Sequence, residues 1–512
     1  MKIERTKNAM RNILFEGFFR LINMLLPFIM RSVILYYLGI EYLGLNGLFR
    51  SILSFLNLAE MGVGSAMVFS MYKPIAEDDT ESICALMRLY RTSYRIIGLA
   101  IAVIGLLLTP FLPNLISGHI PSDMNLYILY FMNLGSTVIT YWLFSYKRSL
   151  LYAHQRVDIV SKVAIPLKLV EFALKVITLA IFRNYYLYLL IQFLSYAAEN
   201  LITAKQVNKL YPGYSARGDL PKEKVKEIMH RVRDLFTAKF SYVIFNSSDT
   251  LVISAFIGLD FLAIYQNYFF IFTSLRTFLE VFIGAFIAGV GNSLITENID
   301  KNYEDFGKIT MFFGWIMCVS SSMLLCMYQP FIEIWMGKES LLSYSHVICF
   351  VVYFYSMGIN KIMSMLKDAA GIWHKDRFRP LVSALVNLVL NLAMIRSLGL
   401  YGVLLSSIIS IVVVQLPWLF HNLFREVFPR KFAGQYLLLL GTLTVIAISV
   451  CAGSWFVSSL LHLGAWATLF VNAGISFAIS NIVFLTVFGR NPMLKQSFEQ
   501  MKNIIERKLQ KH

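Results

Sequence analysis

Residues 38–45 read LGIEYLGL and residues 257–264 read IGLDFLAI, a position-by-position likeness at an offset of 219. Each stretch falls in the turn between the first and second apolar segments of a series of six. The same offset sets Arg20 opposite Lys239. Two six-helix bundles that both enter from one side of a membrane make a parallel repeat, related by an axis along the membrane normal. Apolar stretches resemble one another by chance, so the repeat gains most of its weight from an independent count of segments.

That count is fourteen, and a helix needs about 20 mostly apolar residues to cross a bilayer. Spans are predicted near 12–38, 43–71, 88–111, 124–145, 158–182, 185–206, 234–257, 262–292, 307–329, 342–366, 380–397, 399–421, 433–458 and 464–489. The expected fold is an all-α polytopic membrane protein with 14 transmembrane helices: two pseudo-symmetric six-helix bundles plus two C-terminal helices. The N-terminal bundle covers 1–206, a cytoplasmic linker with an amphipathic helix 207–233, and the C-terminal bundle 234–421. Transmembrane helices 13 and 14 occupy 433–489, and a cytoplasmic amphipathic tail 490–512.

Lysine and arginine are retained on the cytoplasmic side of short loops, and they set the orientation. Of the 46 present, about 35 lie in the two tails and the loops after even-numbered spans, against Arg183, Lys338 and Arg396 in the opposite loops. Both termini are therefore expected in the cytoplasm. The net charge of +16 is accounted for by anionic headgroups rather than nucleic acid. With 57% hydrophobic residues, 15% charged residues and a mean hydropathy of +0.63, a soluble class is excluded.

The basic, apolar N-terminus resembles a signal peptide, but its apolar stretch is too long and carries Glu16, Arg20 and Arg31, so it reads as a retained first span. Cys84, Cys318, Cys326, Cys349 and Cys451 are scattered, and the histidines show no paired spacing. No metal and no cofactor is expected. External loops reach about 17 residues at most, too short for a folded domain, so function must lie within the membrane. In the linker, Tyr211-Pro212-Gly213 precedes DLPKEKVKEIMHRVRDLF (219–236), where Asp219 can cap, Pro221 fits a first turn, and Val225, Ile228, Met229, Val232 and Phe236 form an apolar stripe. Leu494, Phe498, Met501 and Ile505 make a similar face in the tail. Simple anchoring at the interface is the plainer reading of both.

Charges at bilayer depth are costly and face a cavity or one another. Arg20, Arg31, Arg50, Lys168, Lys175, Lys239, Arg276 and Lys361 outnumber Glu16, Glu60, Glu171, Asp249 and Glu280. Glu16/Arg20 and Arg276/Glu280 stand four apart, and Lys168, Glu171 and Lys175 share a helix face, so each set also reads as a structural ion pair. The surplus of bases requires water or an anion, which implies a hydrated, cationic central cavity suited to a phosphate-bearing substrate. Asp249 is expected in an NSSD turn (246–249) of span seven, with oxygen-bearing neighbours in Asn246, Ser247 and Ser248, the chemistry hard cations prefer.

Three stretches resemble a known family: LGLNGLFRSILSFLNLAEMGVGSAMVFSMYKPIAEDD (43–79), NSSDTLVISAFIGLDFLAIYQNY (246–268) and RFRPLVSALVNLVLNLAMIRSLGLYGVLLSSIIS (377–410). They are similar to the Wzx-type lipid-linked oligosaccharide (polysaccharide) flippases of the multidrug/oligosaccharidyl-lipid/polysaccharide exporter superfamily, over spans one to twelve. The resemblance implies a two-lobed, V-shaped bundle in the bacterial cytoplasmic membrane that moves undecaprenyl-pyrophosphate-linked glycans to the outer leaflet by alternating access. Related lipid II flippases hold the pyrophosphate with cavity arginines on the first, second and eighth spans, and by segment this chain supplies Arg20, Arg31, Arg50 and Arg276. The charge reading adds Lys168, Lys175 and Lys239 as substrate-binding candidates, and Glu60 and Asp249 as coupling-ion candidates. The last two spans are similar to those of fourteen-span relatives, in which a lipid groove is proposed. Expected partners are the lipid-linked oligosaccharide, membrane lipids and polysaccharide assembly proteins.

Three rivals differ from this reading. An ion-coupled multidrug exporter shares the fold, but a surplus of acids would favour it and bases are in excess. A polysaccharide polymerase or glycosyltransferase would need a sizeable external loop, so the chain is not expected to be an enzyme. A purely structural scaffold would have no use for so much buried charge.

Overall fold

Within lipid, a spanning backbone satisfies its N–H and C=O groups internally, which restricts it to helices or a closed barrel. The computed structural model describes residues 5–60, 62–118, 120, 124–284, 286–461, 463–490 and 494–496, and its regular elements there are all helices. The first are α1 (Arg5–Tyr37), α2 (Ile40–Leu56), α3 (Val63–Ala76), α4 (Thr80–Leu108), α5 (Leu126–Trp142) and the short α6 (Arg148–Ala153). They are followed by α7 (Val157–Phe182), α8 (Tyr185–Leu210), α9 (Lys222–Phe256), α10 (Leu259–Gly284), α11 (Ile287–Thr296) and α12 (Ile299–Met336). The rest are α13 (Tyr344–Ala369), α14 (Trp373–Asp376), α15 (Arg379–Leu398), α16 (Leu400–Ile409), α17 (Leu416–Glu426), α18 (Ala433–Ser459) and α19 (Ala465–Phe488). Among the described residues, nine helices are long and apolar enough to cross a membrane, or ten if the bent pair after Leu126 is one span.

The internal repeat has a backbone counterpart. The turn from α1 to α2 passes through Gly39 at φ +112°, and the turn from α9 to α10 passes through Gly258 at φ +123°. Those two glycines are 219 positions apart, the offset read from the sequence, and only glycine adopts such angles without strain. The two turns also approach each other: Asp260 lies in the field of Glu41, its counterpart in the repeat, and Gly44 sits against the carbonyl of Leu259.

Two compact units divide between Ala263 and Ile264. In the first, α1 packs on α7, α7 on α8, α8 on α5, α5 on α4 and α4 on α3. Also within it, α9 packs on α2 and α3. In the second unit, α18 and α19 both dock on α12 through small residues: Leu443 lies over Gly314, Ser476 donates to the Ser322 carbonyl, and Asn472 Nδ2 donates to the Cys326 carbonyl at 2.9 Å. Small contact residues let membrane helices approach closely. The outer faces are apolar. Helix α4, for example, exposes Ile96, Leu99, Leu106 and Leu107 and buries Tyr90 and Tyr94.

Several predicted spans are not single α-helices. The segment predicted over 43–71 breaks after Leu56 into a 3₁₀ turn, Asn57–Glu60, and resumes at α3 behind Gly62 at φ +104°. The predicted span 399–421 contains a π-helical turn, Ser410–Gln415, between α16 and α17. In the other direction, the linker helix and the seventh span merge into the 35-residue α9. No glycine or proline interrupts residues 222–256, and the Glu227–Arg231 pair at 2.5 Å supports continuity. Asp79 caps α4 by accepting the Ser82 N–H at 2.9 Å, and these Ser82 hydrogen bonds hold its carboxyl below the usual range. The amphipathic tail beyond residue 496 lies outside the described residues.

A Cβ at Gly44 would stand 2.2 Å from the Leu259 carbonyl oxygen, whereas one at Gly135, in α5, meets nothing within 4 Å. Gly44→Ala is expected to cost about 1–3 kcal/mol through overpacking, and Gly135→Ala to be neutral or mildly stabilising. Thermal unfolding of both variants in detergent checks this; equal melting temperatures would contradict the close approach.

Candidate functional site

Within the first unit, two arginines from adjacent helices come together. Arg31 on α1 reaches the Ala263 carbonyl with Nη2 at 3.5 Å and lies in the field of Arg50 on α2. Arg50 is exposed and has no carboxylate within ion-pair distance among the described residues. Tyr185 stands near Arg50 and stacks on Tyr188 at 5.2 Å with an interplanar angle of 12°. Like charges that act on each other in an apolar helical frame are stabilised by an anion. Arg20 lies on α1, but its side chain is outside the described residues.

The Tyr185–Tyr188 stack connects this pair to Lys175 on α7, whose Nζ lies 4.3 Å from the Tyr188 ring centroid. Lys175 is nevertheless fully engaged: it donates to Glu171 Oε1 at 2.6 Å and Gln192 Oε1 at 3.0 Å, while Ser195 donates to Glu171 Oε2 at 2.9 Å. This is the structural ion pair that the spacing allowed, and it leaves Lys175 poorly placed to take a ligand. Lys168, two turns earlier, rests over the Tyr196 ring at 5.8 Å and has no carboxylate partner among the described residues.

Glu60 occupies the break between α2 and α3. It accepts the Tyr94 hydroxyl at 2.9 Å, Tyr94 accepts the Tyr90 hydroxyl at 2.7 Å, and the Gly64 N–H also points at the carboxylate. Lys239 on α9 acts on Glu60 through its field but forms no ion pair with it. A third tyrosine, Tyr141, packs edge-on against Tyr94 at 5.2 Å and donates to Asn57 Oδ1 at 3.0 Å. A carboxylate at an unwound helix joint, reached through a line of hydroxyls, is equipped to gain and lose a proton. The tyrosines were not singled out in the sequence, because Tyr90 and Tyr94 stand among Arg88, Arg91 and Arg95, where an aromatic reads as an interfacial residue. Asp249 is buried inside the continuous helix α9, flanked by buried Ser247, Ser248 and Thr250, so the turn expected around it is absent.

In the second unit, Arg276 on α10 faces Glu280 Oε1 at 3.6 Å, and Lys361 on α13 approaches the same oxygen at 3.6 Å. One carboxylate thus serves two cations. Arg276 Nε and Nη1 are buried and make no hydrogen bond among the described residues. A second polar group in this unit escaped the sequence reading. Arg379 Nε and Nη2 grip Asp376 Oδ1 and Oδ2 at 2.7 and 2.8 Å, and the π-helical turn swings Gln415 in to donate to Ser383 Oγ at 2.7 Å and accept from Asn360 at 2.7 Å. Asn387 continues the track by donating to Ser407 at 3.0 Å. Asn387 and Asn391, four apart in an apolar helix, were the available signal.

Breaking a buried pair by removing one partner costs about 3–5 kcal/mol, whereas replacing both is close to neutral. Glu171→Leu is therefore expected to destabilise the protein strongly, and Glu171→Leu with Lys175→Met to recover most of the loss, in thermal unfolding measurements. A double variant no better than the single one would show that Lys175 is held by something other than Glu171.

No protein-family profile and no curated protein sequence matches the chain. Solved structures do. The lipid II flippase MurJ in an inward closed conformation superposes with a TM-score of 0.69 at 14% identity, over 93% of this chain and 99% of that one. A multidrug resistance MATE family transporter of the MOP superfamily, inward-facing, gives 0.60 at 14% identity over 80% of this chain and 94% of its own. The Vibrio cholerae MATE transporter VcmN gives 0.53 at 14% identity over 83% and 99%. At such identities the likeness is one of fold: this chain is an all-helical, multi-pass membrane protein with the architecture that MurJ and the MATE transporters share.

Proposed function

We propose that this protein is a flippase that carries an undecaprenyl-pyrophosphate-linked oligosaccharide from the cytoplasmic to the outer leaflet of the bacterial cytoplasmic membrane, by alternating access, for surface polysaccharide biosynthesis. The observation that carries the reading is positive charge in excess of its counter-charge on apolar helices: Arg50 has no carboxylate partner among the described residues, and Arg276 shares the single Glu280 carboxylate with Lys361 while two of its buried guanidinium nitrogens make no hydrogen bond there. A guanidinium is a planar fork matched to phosphate oxygens, and a pyrophosphate offers several. The lipid tail can stay in the bilayer while the arginines take over from water as the headgroup's counter-charge. MurJ, whose fold the chain shares, is described as a lipid II flippase, which agrees with a lipid-linked substrate.

The MATE likeness keeps an ion-coupled exporter of organic cations as the second reading. Arg31 beside Arg50 argues against it, since a cationic drug would meet two like charges. For coupling, Glu60 is the first candidate because its carboxylate is linked to Tyr94 and Tyr90 at a helix joint, and Asp249 is the second.

Arg50→Ala and Arg276→Ala should each reduce surface polysaccharide at least ten-fold while the protein remains inserted, as read by quantifying surface glycan and membrane-fraction protein. Normal export in both variants would sink the substrate assignment. Glu60→Gln, which keeps the shape and the acceptor oxygen, should remove the response of transport to an imposed pH gradient. If pH and sodium responses are unchanged in both Glu60→Gln and Asp249→Asn, neither carboxylate couples transport to an ion.

A further inference from the structure

The first unit contains a basic cavity of about 400 Å³ that shares no residue with the Arg31–Arg50 cluster. Arg91 of α4 forms one wall. Tyr146 and Lys147 come from the break after α5, Asn208 from the end of α8, and Tyr214 and Ser215 from the connection that follows. No carboxylate lines it. Its volume falls within the roughly 300–1,000 Å³ of typical small-molecule sites.

The polar groups here are poised for an anion. Arg91 Nε is buried and makes no hydrogen bond among the described residues, and a buried donor left unmet favours any acceptor that can reach it. Lys147 gives one of its three N–H donors to Asn208 Oδ1 at 2.5 Å, which orients the ammonium without neutralising it. The opposite wall is pinned. Tyr214 stacks on Tyr211 at 5.8 Å, Tyr211 lies on His154 at 4.4 Å, and the Ser215 N–H points to Cys84 Sγ at 3.4 Å. A rigid wall lowers the entropic cost of holding a ligand.

We propose that this cavity binds a phosphate ester at the membrane surface, through the Arg91 fork, the Lys147 ammonium and the hydroxyls of Tyr214 and Ser215. Its surroundings favour a lipid headgroup as the carrier of that phosphate. Trp142 and Phe144 are exposed, at 51% and 43%, immediately before Lys147, and aromatic residues of that kind settle at the membrane–water interface. The cavity opens at the lysine- and arginine-rich end of the helices, which the charge bias assigns to the cytoplasmic leaflet with its anionic lipids. A soluble phosphate ester offers the same chemistry.

The full-length protein in phosphatidylcholine nanodiscs separates the two sources, with phosphatidylglycerol and glycerol 3-phosphate as probes and native mass spectrometry and thermal shift as readouts. At least one probe should bind the wild type, and which one binds identifies the source. Arg91→Gln with Lys147→Gln should weaken that binding at least ten-fold. Ala216→Trp, which fills the cavity without changing charge, should do the same and serves if the first variant fails to fold. Lys73→Gln with Arg88→Gln removes equal charge from exposed pairs with Glu77 and Asp219 and should leave binding within two-fold of wild type. Absence of binding by either probe to the wild type, or wild-type binding in the cavity variants, would overturn the proposal.

Discussion

A lysine, arginine or aspartate at the centre of a membrane helix costs about 2.5–3.5 kcal/mol to insert, so each one must be repaid by a partner on another helix, by water or by a ligand. That constraint orders the chain. Lys175 is repaid internally by Glu171, Gln192 and Ser195, and Arg379 by Asp376 and Gln415. Arg50 has no carboxylate partner among the described residues, Arg276 has only a share of Glu280 with Lys361, and the Arg31 guanidinium stands in the field of a like charge. The first group holds helices together, and the second is where an anion gains most.

The same division explains which helices deviate from regularity. The 3₁₀ turn at Asn57–Glu60 and the π-helical turn at Ser410–Gln415 both re-aim a polar side chain, Glu60 towards Tyr94 and Gln415 towards Asn360 and Ser383. Irregular backbone at membrane depth survives where neighbouring side chains satisfy it or where it lines a cavity. It occurs beside titratable and amide groups in both units, and such breaks within helices often mark functional positions.

Much of the architecture was legible because a membrane enforces a simple code. Apolar length marked the helices, and the offset between LGIEYLGL and IGLDFLAI located two glycine turns with matching positive φ at Gly39 and Gly258. What the code omits is tertiary. Nothing in residues 43–71 distinguishes a straight span from one broken at Gly62, because glycine is common in membrane helices. Asp249 looked like part of a turn because of its polar neighbours, yet α9 runs through it. For the site, residue type identified the charged candidates, but only coordinates distinguish Lys175, fully bonded, from Arg276, with bare guanidinium nitrogens. The tyrosines around Glu60 stand among Arg88, Arg91 and Arg95, and nothing in that stretch ties them to a carboxylate on another helix.

The central claim is that unneutralised arginines on these helices serve a pyrophosphate-linked glycolipid. Its most direct test is transport by the purified protein in liposomes carrying a fluorescent undecaprenyl-pyrophosphate oligosaccharide, with a membrane-impermeant quencher reporting which leaflet the headgroup occupies. The account predicts protein-dependent movement of the headgroup between leaflets, competed by unlabelled lipid pyrophosphate and indifferent to organic cations such as ethidium. Transport of ethidium with no movement of the glycolipid would contradict it.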